Sequence, residues 1–284
     1  MTRAAASGSK LLYVSDLTTF DVDVYAFPSL ARVGKLTGLK EPQGECTDSA
    51  GDVWIASTLN QQIVEYAHGG TSPIAKLGDP VGYPVGCAVD PASGDLAVTN
   101  RDDFSGPASV LVYRHARGTP VSYGNAVQYY DYFAAYDGAG DLYVSGASVK
   151  NAYALAVLRH GQRAMSILRV TGGKLYVAGT VAWRGATLVL GDQRCGNRAA
   201  SCLYEASVSG DAARIRHTTR LLGACDVAQA WVGATQVAGG AYACDYRPSR
   251  VALWAYPSGG KPQAQASGLG HPVAAVLSES SKKN

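Results

Sequence analysis

A short apolar run recurs six times along the chain: LYVSD (12–16), VWIAS (53–57), LAVTN (96–100), LYVSG (142–146), LVLGD (188–192) and QVAGG (236–240). Successive runs start 41, 43, 46, 46 and 48 residues apart. The second unit shows what one period contains. Gln43–Asp48, Val53–Ser57, Gln62–Tyr66 and Pro73–Leu77 are apolar-rich segments, separated by Ser49-Ala50-Gly51-Asp52 and His68-Gly69-Gly70 among other turns. Short runs rich in Val, Ile, Leu, Tyr and Trp, bounded by Gly, Asp, Asn or Pro, predict strands. No apolar period of helical spacing persists over a helical length in any unit, so no helix is predicted.

Four strands per period, repeated six times, predict an all-β, six-bladed β-propeller with four antiparallel strands per blade. The chain enters directly into a second strand, Leu11–Ser15, and ends on His271–Leu277, which has the pattern of a first strand. The C-terminal strand is therefore expected to join the N-terminal blade as its inner strand, closing the ring and removing two exposed edges. Residues 11–278 form one domain in this reading. Residues 1–10 are a disordered tether remnant and 279–284 a disordered tail.

Turn chemistry repeats with the strands. DSAGD (48–52), DPASGD (90–95) and DGAGD (137–141) each place an Asp ahead of a Gly. Asp accepts from amides two or three residues on and Gly supplies positive φ, so these are turns. They lack the alternating oxygen ligands and distal Glu of a calcium loop. In the later units Trp183 and Trp231 replace the turn Asp, and packing between neighbouring blades is their expected role. His68, His115 and His160 each follow a third strand and are read as turn residues.

Composition narrows the class. Of 284 residues 47% are hydrophobic and 17% charged, the net charge is +3, and the only Lys/Arg pair near the C-terminus is Lys282-Lys283. Nucleic-acid binding has no basic stripe to use, and no apolar stretch approaches the ~18 residues of a membrane-spanning helix. The six cysteines suit pairing as Cys195–Cys202 across one polar loop, Cys225–Cys244 across one hairpin, and Cys46–Cys87 between adjacent inner strands. Cys46 aligns with Ala88 and Cys87 with Glu45. That one-residue offset turns the two sulfurs toward each other, because side chains alternate faces. Three disulfides imply a secreted, periplasmic or cell-surface protein. The N-terminus lacks the apolar segment of a signal peptide.

The segments PQGECTDSAGDVWIAS (42–57) and YPVGCAVDPASGDLAVTN (83–100) carry a resemblance to six-bladed propellers of the NHL-repeat type and, more distantly, of the regucalcin/gluconolactonase type. The lactonase-like resemblance implies a calcium ion in the channel, with Glu45, Asn100 and Asp103 as ligands and a hydrolase activity. The Asn-Gly element of that family is missing from this chain. GxSxG, HExxH, CxxC and helix-opening GxGxxG are missing too, so the leading expectation is a non-catalytic binding scaffold without a cofactor, acting as a monomer on a protein or glycan. Its site belongs on the face formed by the loops between second and third strands and between blades. Arg101, Asp103, Tyr130, Asp131, Arg194, Tyr246, Arg247 and His271 are the candidates, since Tyr and Arg anchor interfaces.

Overall fold

The structure is a computed structural model and describes residues 10–101, 106–196, 200–242 and 248–280. Its strands fall into consecutive sets. The first is β1 (Leu11–Asp16), β2 (Asp21–Ala26) and β3 (Ala31–Leu36). The second is β4 (Pro42–Thr47), β5 (Val53–Ser57), β6 (Gln62–Tyr66) and β7 (Pro73–Gly78). The third is β8 (Tyr83–Val89), β9 (Leu96–Arg101), β10 (Ser109–Tyr113) and β11 (Val121–Gly124). The fourth is β12 (Gln128–Tyr136), β13 (Leu142–Ser148), β14 (Tyr153–Leu158) and β15 (Ser166–Thr171). The fifth is β16 (Ala178–Arg184), β17 (Thr187–Asp192), β18 (Ala200–Ser209) and β19 (Ala212–Leu222). The sixth is β20 (Ala230–Val232), β21 (Gln236–Ala241), β22 (Arg250–Ala255) and β23 (Gly259–Ser267), followed by β24 (Pro272–Ser278). No α-helix occurs among the described residues; two short 3-10 turns complete the elements.

Within each set, neighbouring strands pair antiparallel. β24 pairs antiparallel with β1, from Leu11 opposite Ser278 to Asp16 opposite Pro272. The first sheet is therefore ordered β24, β1, β2, β3. Its far end docks on the second set: the Ser278 hydroxyl donates to the Gly51 carbonyl at 2.5 Å and bonds the His68 ring at 2.6 Å.

Burial follows the layering. Every residue of β1 and of β5 is buried, whereas the outermost β7 alternates between exposed and half-buried positions. A strand buried on both sides needs a neighbouring sheet against each face, which explains its continuous apolar run. Six apolar clusters fill these interfaces, each drawing on two successive sets. One of them packs Ala238, Val251 and Leu253 of the last set against Leu12, Val14 and Tyr25 of the first. The strands β4, β8, β12, β16 and β20 touch in succession, and β24 touches both β20 and β4. The expected tryptophan packing is present: Trp183 meets Tyr143 edge-on at 5.0 Å and Trp231 meets Phe27 at 5.2 Å.

The sheets do not stay separate. β19 pairs in parallel with β15 at Arg169–Thr171 and touches β23 at Leu221 opposite Gly260. These links join the fourth, fifth and sixth sets, and the pairing of β12 with β9 at Tyr130 opposite Arg101 adds the third, giving one 16-stranded sheet. The cause is length: β18 and β19 run 10 and 11 residues, longer than the repeat predicts, so β19 reaches the outer strands on both sides.

Disulfides Cys46–Cys87 and Cys195–Cys202 are formed, with Cα separations of 5.6 and 5.3 Å. The first lies inside the apolar cluster between the second and third sets. Its register is the expected offset: Glu45 faces Ile55 and Cys87 faces Val98, equivalent positions of the two sheets. Cys225 is disulfide-bonded and bridges Tyr242; its expected partner, Cys244, is outside the described residues.

Two carboxyl groups sit at inter-sheet positions with little compensation. Glu45 is fully buried and accepts one bond, from the Ser15 hydroxyl at 2.6 Å. Burial pushes it up to about 8. Asp131 is fully buried with no hydrogen-bond partner on either oxygen and is likewise raised to about 8 by burial.

Two predictions follow from these contacts. Deleting residues 270–284 removes β24, strips the edge of β1 and exposes Leu12, Val14 and Ala238. The melting temperature should fall by roughly 10 °C or more, at about 2–4 °C per kcal/mol; an unchanged melting curve would refute the structural role of β24. For Glu45 the folded pKa lies above the unfolded one, so the folded state holds a proton that the unfolded chain releases. Stability from this group is fully present below about pH 4.5 and is lost as pH rises toward about 8. Glu45→Gln should therefore melt several degrees higher than the parent at pH 9 and show a smaller difference at pH 5. A gain that is equal at both pH values would contradict the assignment.

Candidate functional site

In an antiparallel array of this order, the connections from second to third strands and from one set to the next emerge on one side. The turns after first and third strands emerge on the other. On the loop side, Arg101 ends β9 and is paired across the sheet with Tyr83 of β8 and Tyr130 of β12. Its guanidinium lies 6.0 Å from the Tyr83 ring centroid. Tyr130 and Tyr132, two apart on one strand and so on one face, stack at 6.2 Å with planes 14° apart. Burial raises the Tyr132 hydroxyl, the neighbouring Tyr130 raises it further, and the Arg101 charge pulls it back. Arg101 is exposed while Tyr83, Tyr130 and Tyr132 are half-buried. The result is one exposed cation set among half-buried aromatic rings.

The other candidates lie elsewhere. Arg194 is exposed and pairs with Asp226 at 3.3 Å, a solvent-screened contact that holds two loops near each other. His271 stacks against Tyr242 at 4.1 Å, and its backbone N–H donates to Asp16. Asp131, expected as a loop-face acid, is not on the surface. It occupies the place where β4 and β8 carry Pro42 and Pro84, and its Oδ1 fills the space beside Gly146, where the neighbouring sheets have Ser57 and Asn100. Asp103, Tyr246 and Arg247 are outside the described residues.

Among the described residues, the expected metal ligands Glu45 and Asn100 have different polar neighbours. Glu45 turns toward Ser15 of β1. Asn100 lies beside Asp79, whose carboxyl is raised by burial and pulled back by the amides of Gly82 and Val81 and by Asn100. Gln229 accepts from the Glu45 N–H at 2.8 Å and donates to the Glu45 carbonyl at 2.6 Å, while its own N–H bonds Val273. A Cβ on Gly44 would lie 2.6 Å from the Gly86 Cα, so glycine is required where these strands approach.

The sequence signals missed a set of pins at the ends of second strands. Asp16 accepts from Thr18, Gly270 and His271, and Asp192 from Tyr176, Val177 and Arg194. Ser57 accepts from Lys40. Each ties the incoming connection to the strand it precedes. Their shared position in the repeat, at or just after the apolar run, was the available signal. On the turn side the aspartates close the turns, with a reach of four residues where three was expected. Asp48 and Asp137 accept from amides two and four residues on, and Asp52, Asp95 and Asp141 accept from the N–H of His68, His115 and His160. Asp48, Asp52 and Glu65 gather there, and Glu65 is raised to about 7, first by burial and then by the two aspartates.

No protein-family model matches this chain, and no curated protein matches it in sequence. Solved structures do match in shape. A chain of a nidogen/laminin complex superimposes with a TM-score of 0.72 at 11% identity, covering 95% of this chain and 99% of its own. A protein of unknown function from Bacteroides caccae gives 0.68 at 11%, covering 95% and 99%. The Cps50 (Swd1) β-propeller domain of Myceliophteria thermophila gives 0.59 at 12%, covering 95% and 86%. At these identities the likeness is one of architecture: the all-β, antiparallel sheets described above have a β-propeller fold.

Proposed function

We propose that the chain is a six-bladed propeller of the NHL-like kind, closed by β24, that serves outside the cytoplasm as a non-catalytic scaffold for a protein partner. The blade count is supported by the six repeats and by the six apolar clusters between successive sets. Closure is supported by the β24–β1 register and by the contacts of β24 with both β20 and β4. The extracytoplasmic setting is supported by the two disulfides and by the bonded state of Cys225.

The observation that carries the binding reading is Arg101 held among Tyr83, Tyr130 and Tyr132 on the loop side. Tyr and Arg are enriched at the energetic centres of protein interfaces, Tyr because it brings a large contact area with two rotors and Arg because its planar guanidinium presents several donors in a fixed fork. The nidogen/laminin match is itself a chain from a protein–protein complex.

Two measurements test this. Alkylation of the unreduced, denatured chain should leave all six cysteines unmodified; six alkylated thiols would refute the oxidising compartment. For binding, a partner identified by affinity capture from the extracytoplasmic fraction should lose roughly 30-fold in affinity when Arg101→Ala and Tyr130→Ala are combined, the loss of about 2 kcal/mol typical of an anchor. The melting curve should stay the same. Unchanged affinity would move the interface off this cluster.

A further inference from the structure

On the turn side, a cleft of about 380 Å³ opens between the third and fourth sets. It is far from Arg101 in the fold, since it is built from the opposite ends of the strands. Its volume lies in the ~300–1,000 Å³ range of small-molecule sites. Tyr123 of β11 and Tyr136 at the end of β12 line it, together with Asp90, Asp95, Arg114 and Arg163. Burial raises the Tyr136 hydroxyl, and the nearby Asp95, Asp90 and Tyr123 raise it further.

The charges are arranged unequally. Arg159, also in the cleft wall, is committed: it donates to Asp141 at 2.7 Å and to the Gly210 carbonyl at 2.8 Å. Arg114 and Arg163 are exposed and make no ion pair among the described residues. The carboxylates are partly satisfied. Asp90 accepts from the Ala92 N–H at 3.0 Å and the Ser93 hydroxyl at 2.6 Å, and Asp95 accepts from the His115 N–H at 2.8 Å. Each carboxylate oxygen has two lone-pair sites, so acceptor capacity remains, while the donors already present reduce its need for a cation.

We propose that this cleft binds an acidic saccharide, with a hexuronate unit lying against Tyr123 and Tyr136, its hydroxyls donating to Asp90 and Asp95, and its carboxylate held by Arg114 and Arg163. The mixed signs decide the class. A phosphate or nucleic acid would bring a dense negative charge toward two aspartates. An ammonium ligand would meet carboxylates already supplied with donors. A sugar supplies several neutral hydroxyl donors and one separate negative group, which matches a cleft wall that carries both carboxylate acceptors and guanidinium forks.

The test is titration calorimetry on the full chain with D-galacturonate and D-glucuronate, set against D-glucose, L-glutamate and inorganic phosphate. One hexuronate should bind saturably in the millimolar range, more weakly as salt is raised. Arg114→Ala and Arg163→Ala should each weaken it about tenfold, and Tyr136→Phe should weaken it with an unchanged melting curve. Arg101→Ala, on the other face, should leave it unaltered, which keeps this outcome separate from that of the loop-face partner. Failure of both hexuronates to saturate overturns the proposal. So does equal or tighter binding of glucose, glutamate or phosphate, or binding that survives both arginine changes.

Discussion

The pairing of β24 with β1 is the contact on which the rest of the molecule leans. It runs from Leu11–Ser278 to Asp16–Pro272 and joins residues some 260 positions apart in the chain. Without it, β1 presents an open edge, and the apolar faces of Leu12, Val14 and Tyr25 lose their cover from Ala275 and Leu277. No sheet here can bury its two faces by itself. Each depends on the sheets before and after it, and the first and last depend on each other. Stability is therefore shared by neighbouring interfaces, the one between the last and first sets among them.

That constraint also explains where polar groups are trapped. Sheets stacked face to face bring their connecting segments into the interior, where backbone groups need partners. Asp16, Ser57 and Asp192 supply them from the ends of second strands. The fourth set departs from the pattern. Gly146 has no side chain to offer, and Asp131 enters the vacant space from the adjacent strand without an equivalent set of donors. Its raised pKa is the cost of that substitution. Glu45 is a related case: one hydroxyl partner offsets only part of the burial of a carboxylate.

Much of the architecture was legible in the sequence because its determinants are local or periodic. The strands of the second unit lie within a residue of where turn residues and apolar runs put them. The Cys46–Cys87 pairing followed from a one-residue offset within the repeat, since alternation of side chains is a strict period of two. The merging of outer sheets through β19 was not legible. It comes from two long strands whose extra residues have no repeat partner, and from a parallel contact that no local pattern encodes. Asp131 shows the same limit for a site residue. In the string Tyr129-Tyr130-Asp131-Tyr132 the acid reads as the most exposed letter, yet strand alternation sends it inward and leaves Tyr130 and Tyr132 half-buried on the other face.

The grouping of Arg101 with Tyr83, Tyr130 and Tyr132 illustrates why chemistry is harder to read than fold. Tyr83 and Tyr130 hold the same position of successive units, and what brings Tyr130 to Arg101 is the small overlap of β12 with β9 at one residue pair. A shift of one residue in the linker before β12 would exchange Tyr130 for Asp131 beside Arg101, turning an aromatic platform into an ion pair. The repeat fixes where strands begin; the linkers fix which side chains meet. Linker length varies from unit to unit, so each junction between sheets carries its own set of side chains. The exposed arginine among tyrosines on one face and the mixed cleft on the other are two such sets, arising at the same pair of sheets from opposite ends of the same strands.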